Sequence, residues 1–137
     1  MNFGPVPDVS LATRAVIDER VHLLRSMVVQ LPRVTIENGQ HLGFCVLSRR
    51  FAWILDDHHG DGVVALTCMG APGLNAEFAE VFPDRFFIPA YTGGRGWIGL
   101  RLDQPTIDWD EVEDLCRDAY RLIAPKRLGD LVPLRRS

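Results

Sequence analysis

Lysine is almost missing from this chain. Of its 15 basic residues, only Lys126 is not an arginine. Arginine suits planar phosphate and base contacts, although a high-GC genome produces the same bias. Positive charge is not in excess either. The formal net charge is −3, which excludes a protein that coats nucleic acid by bulk charge, since such domains are basic. Any nucleic-acid site must therefore be a local patch. Cysteine is scarce and odd in number. Cys45, Cys68 and Cys116 lack metal-site spacing and each falls in an apolar segment, so they read as buried, reduced thiols. No signal peptide is evident and no apolar run is long enough to span a bilayer. The expectation is a cytoplasmic protein without membrane contact. The chain also lacks a serine nucleophile elbow, a cysteine with a neighbouring base and a clear pair of catalytic carboxylates. No catalytic residue, cofactor or metal is assigned, and the expectation is a protein that is not an enzyme.

What is present is the composition of one globular domain. The chain has 137 residues, 47% of them hydrophobic and 24% charged, enough to bury a core without staples. One domain over 1–137 is expected, with an irregular arm at 1–9 and a tail at 129–137. From Ser10 the pattern is helical: Ile17, Val21, Leu24, Val28 and Leu31 make one apolar stripe. Ser10 or Thr13 can cap it and Pro32 ends it. Short strands are expected at Val34 to Glu37, Leu42 to Leu47, Phe51 to Leu55 and Val63 to Cys68, with Ser48-Arg49-Arg50 as one turn and Asp56 to Gly62 as another. Asn75 can cap a short helix through Phe82, whose apolar side is Leu74, Phe78, Val81 and Phe82. The clearest helix begins at Asp108, with Glu111 three residues on as in a capping box. Its stripe is Val112, Leu115, Cys116, Ala119, Leu122 and Ile123, and Pro125 ends it. Leu131-Val132 anchors the tail. The sum is an α+β fold: an antiparallel meander plus a C-terminal hairpin, with N- and C-terminal helices packed on one sheet face.

The stretch Arg85 to Leu102 organises the rest. Phe86 to Tyr91 and Trp97 to Leu102 read as strands around a loop holding Gly93, Gly94, Arg95 and Gly96. Pro89 marks an edge or a bulge. Alternation turns Ile98, Leu100 and Leu102 inward, and Trp97 and Arg101 to the outer face. In the functional reading, Arg95 at the tip and Arg101 pair with phosphate and Trp97 stacks on a base or sugar. The amides of Gly93, Gly94 and Gly96 would then approach the anion. In the structural reading, Trp97 covers the hairpin and the arginines form surface pairs. Arg49 and Arg50 supply a second basic tip or a solvated turn. Lys126 and Arg127 touch phosphate or meet the carbonyls of the last helix. An alternative is an aromatic groove around Tyr91 and Trp97 for a protein or small ligand, with no nucleic acid. His58 and His59 read as a polar turn; a metal would need His22 or His41 nearby. Asp110, Glu111, Asp114 and Asp118 read as a solvated helix face.

Three segments together resemble the MmcQ/YjbR family. They are Arg85 to Tyr91 with Gly93 to Leu100, Ala119 to Leu128, and the first helix ending in Leu31-Pro32 before Val34. The likeness covers Val16 to Leu128. It implies a compact domain like the frataxin fold. It also implies a DNA-binding protein of double-wing type, whose curved open sheet face receives the duplex. DNA is thus the partner expected from the resemblance.

Overall fold

Thr13 has an extended backbone and its hydroxyl accepts the amide of Val16, so the first helix, α1, runs Arg14–Val28. The chain's structure, a computed structural model, describes residues 12–57 and 62–133; Ser10, His58, His59 and Asp61 lie outside that range. The helix buries Ile17, Leu24 and Val28. It stops short of the expected Pro32. Gln30 and Leu31 already donate to Met27 and Val28, three residues back, because the residue before a proline avoids the helical region and the last turn tightens instead.

Six strands follow: β1 (Val34–Asn38), β2 (Leu42–Val46), β3 (Arg49–Asp56), β4 (Val64–Cys68), β5 (Phe86–Phe87) and β6 (Ile98–Arg101). All pairings are antiparallel, in the order β1-β2-β3-β4-β6-β5. The short helix α2 (Leu74–Val81) precedes β5. After β6 come α3 (Trp109–Ile123) and the single turn α4 (Lys126–Gly129). The expected α+β arrangement is present. Edge strand β5 ends two residues before Pro89, in keeping with that proline's missing donor.

The turn between β2 and β3 differs from expectation. Val46 pairs with Arg49, so the connection is Leu47-Ser48, and Arg49 and Arg50 belong to the strand. Both turn residues are left-handed, with φ of 48° and 70°. A two-residue hairpin needs that geometry, but Asn-Gly supplies it far more cheaply. Replacing Leu47-Ser48 by Asn-Gly should therefore raise stability by about 1 kcal/mol. The check is a higher urea midpoint at unchanged slope; a lower midpoint would contradict the assigned turn.

One sheet face makes the core. Phe44, Ala52, Ile54, Leu66, Cys68, Ile98 and Leu100 cluster with the buried residues of α1 and α3. A register shift at Phe44/Cys45 lets Phe51 join them, edge-on to Tyr120 with ring centroids 5.6 Å apart. Leu122, on one flank of the expected stripe, is exposed, and Tyr120, which that stripe left out and which lies on its opposite flank, is buried. Its hydroxyl donates to the carbonyl of Pro32 at 2.7 Å, and that satisfied polar end is what permits burial. Val81, Phe82 and Leu131 are also exposed, whereas Leu128 and Val132 are buried. Asp108 caps α3 by accepting the amides of Asp110 and Glu111. Glu111 does not close a capping box; its carboxylate takes Arg85 at 2.6 Å.

The residues between the core positions face the other way: Glu37, Gly43, Cys45, Arg50, Trp53, Thr67, Gly99 and Arg101. The helices send their buried side chains to the first face, so no described helix lies over this second one; it is uncovered in that sense alone, since its Cys45, Thr67 and Gly99 are buried. No described helix is long and apolar enough to cross a membrane.

Candidate functional site

At one end of the uncovered face, the loop before β6 rises beside the β2–β3 turn. Asn75 fixes that loop. It sits inside α2 rather than capping it, since Gly73 holds the cap position with φ 82°. The Asn75 amide donates to the carbonyls of Gly93 at 2.9 Å and Trp97 at 3.0 Å. Its own oxygen accepts the amide of Ala76 at 2.7 Å. Gly96 is left-handed at φ 96°, and a Cβ there would lie 2.9 Å from the carbonyl oxygen of Gly70. The amides of Gly93, Arg95 and Gly96 donate to Pro89, Thr92 and Gly93 respectively. This corrects the expected backbone anion contact: Gly93 and Gly96 spend their N–H groups on the loop's own 3₁₀ turn, Gly93–Arg95. Trp97 is 8% exposed. It forms part of the wall and is too enclosed to offer a face for stacking.

Between this loop and the β2–β3 turn lies a cleft of about 560 Å³, lined among others by Arg49, Arg50, Arg95, Glu37, Trp53 and Trp97. The two expected basic tips therefore meet at one cavity. Arg95 is exposed and makes no ion pair or side-chain hydrogen bond among the described residues. Arg49 donates to the carbonyl of Ile123 at 3.3 Å, so it, and not Lys126 or Arg127, meets the C-terminal end of α3. Arg50 donates twice to one oxygen of Glu37, at 3.0 and 2.8 Å, and lies 5.8 Å from the Trp53 ring centroid. Gly43 permits this pairing across the strands; a Cβ there would lie 3.0 Å from the Glu37 carboxylate. The Arg50 guanidinium holds the Glu37 carboxyl below its ordinary range. Burial, and then the Glu37 charge, pushes the Cys45 thiol up. Cys45 is buried as expected, but beneath the cleft and not in the main core. The Thr92 hydroxyl, on another residue of the cleft wall, is buried without a hydrogen-bond partner among the described residues.

Other expected residues lie elsewhere. Arg101 does face the uncovered side, but Asp103 grips it through two bonds of 2.8 Å. Asp103 is buried, so this charge is cancelled in place. Lys126 pairs with Asp130 at 2.7 Å, and neither Lys126 nor Arg127 lines the cleft. Tyr91 is 87% exposed and does not share the cleft with Trp97. Arg14 binds Asp56 at 2.7 Å at the opposite end of β3. Among the described residues, no group of three or more His, Cys, Asp or Glu is arranged to hold a metal.

Sequence reasoning missed Asn75, Glu37, Trp53 and Asp103. Asp103 stands two residues after Arg101, on the same side of an extended chain, and that spacing was a usable signal. Glu37 and Arg50 meet only through pairing register, which no local pattern displays.

Comparison with known proteins fits this architecture. The family model described as YjbR matches residues 29–122. The crystal structure of Deinococcus radiodurans protein DR2400, a DUF419 domain, is similar to this chain with a TM-score of 0.63 and 23% identity, covering 82% of this chain and 86% of that one. No curated protein matches the chain.

Proposed function

The chain belongs to the YjbR family, and from that premise we propose that it binds nucleic acid, without turnover, through the basic cleft at the end of the sheet face that no described helix covers. One observation carries the reading: Arg49, Arg50 and Arg95, from two separate segments, converge on a single cavity, where Glu37 is the only acidic residue among the described ones lining it. An acidic chain has concentrated cations where phosphate can reach them. Arginine forks bind phosphate through paired, charge-assisted hydrogen bonds. Phosphate contacts of this kind give affinity and register but no sequence choice.

The test is titration with single-stranded and duplex DNA at 50 and 200 mM salt. With Arg50 already paired to Glu37, two phosphates are neutralised, and affinity should fall roughly 7-fold for single strands and 12-fold for duplex over that range. Arg95→Ala should weaken binding about tenfold and flatten the salt dependence by about one phosphate, whereas Arg101→Ala should change little. Salt-independent binding would favour an apolar ligand in the same cleft. Failure of wild type to bind either form would end the proposal.

A further inference from the structure

Resting on the nucleic-acid reading, we infer that the cleft takes an unpaired nucleotide bearing a terminal phosphomonoester, in preference to the side of an uninterrupted duplex. The first ground is where the charge sits. Arg49, Arg50 and Arg95 share one cavity. Arg101 lies across from Leu55, through Ala65, about 16 Å along the sheet from Arg50 at roughly 3.3 Å per residue. It is held by Asp103. A duplex offers a line of phosphates and is gripped by cations strung along it. Among the described residues this face presents a single cluster.

The second ground is the amount of charge. Three guanidinium groups against the Glu37 carboxylate leave two positive charges in the cleft. A phosphomonoester carries about −1.5 to −2 near neutral pH, a closer match than the single charge of a backbone diester. The third ground is size and lining. A volume of about 560 Å³ lies within the range of about 300–1,000 Å³ typical of small-molecule pockets. The partly buried Trp53 supplies an aromatic wall, its ring in edge contact with His41 at 4.5 Å and the Arg50 guanidinium 5.8 Å from its centroid. Phosphate at the arginines and a base toward Trp53 is the arrangement that uses both.

The experiment compares four probes on the full chain by fluorescence anisotropy. They are one short single strand with a 5′-phosphate, the same strand with a 3′-phosphate, the strand with neither, and a blunt duplex without terminal phosphates. Adenosine monophosphate serves as competitor. At least one phosphorylated strand should bind about tenfold tighter than the unphosphorylated one. Arg95→Ala and, independently, Arg50→Gln should erase that preference with unchanged melting temperatures. Competition by the mononucleotide at similar affinity assigns the phosphate to a free nucleotide, and lack of competition assigns it to a strand end; both outcomes retain the inference. Equal, salt-dependent binding of all strands and the duplex overturns the inference and leaves the proposed function standing. No binding to any probe removes both.

Discussion

Asn75→Ala should lower the stability of the fold by about 1–3 kcal/mol, chiefly the cost of taking the Asn75 donor from the buried carbonyl of Trp97; the Gly93 carbonyl keeps the Gly96 amide. For a chain of this length that is a fall of roughly 3–10 °C in melting temperature. The loop should also lose its anchor, so Arg95 would no longer be held at the cleft and nucleic-acid binding should weaken beyond the loss of stability. Asn75→Asp separates the causes. It keeps the oxygen that accepts the Ala76 amide and adds negative charge in the first turn of a helix, a favourable place. It also sets a carboxylate oxygen against two carbonyl oxygens. It should therefore be at least as damaging as alanine. A wild-type urea midpoint for Asn75→Asp would show that the two amide bonds do not hold the loop.

Gly96→Ala should cost about 2–4 kcal/mol, and Gly94→Ala, two residues away, should be neutral or stabilising by up to about 1 kcal/mol. The contrast is geometric. Gly96 has φ 96° and its missing Cβ would press on the Gly70 carbonyl oxygen at 2.9 Å, a backbone atom that cannot swing aside. The left-handed backbone alone costs a substituted residue about 1–2 kcal/mol, and crowding against Gly70 adds to it. At Gly94 a Cβ meets nothing within 4 Å and the backbone is not left-handed. Alanine there mainly restricts the unfolded chain. Chemical denaturation of the two variants decides the matter; equal midpoints would mean that the loop does not close on Gly70.

The sheet and helices were legible because their signals are local. Thr13 and Asp108 act as caps where the residue type and the following periodicity indicated. The alternation of Ile98, Leu100 and Leu102 matched their burial. The errors fall where partners are distant in sequence. Leu122 and Tyr120 flank the stripe of α3 on opposite sides, and the position of Phe51 and Pro32 selects the tyrosine's side. Arg49 and Arg50 read as a turn because, with Ser48, they separate two apolar runs; the true turn, Leu47-Ser48, uses residues that rarely adopt its backbone. The glycine-rich loop had the expected composition but not the expected use. Its amides close a 3₁₀ turn, and its shape comes from Asn75, a residue whose side-chain bonds span 18 and 22 positions. The convergence of Arg49, Arg50 and Arg95 was partly visible as two basic tips. The cancellation of Arg101 was not, because burial of Asp103 depends on the packed fold.

The two margins of the sheet differ in what they offer a neighbouring molecule. β5 is two residues long and gives way to a loop containing Pro89, too short a template for another chain to extend. β1 presents five residues at the opposite margin, and Glu37, tied to Arg50, puts a charge in that row. Runaway strand addition, the first step toward fibrils, is thus blunted by brevity on one side and by a fixed carboxylate on the other. Removing the charge with Glu37→Val would expose β1 as the point from which insoluble growth begins.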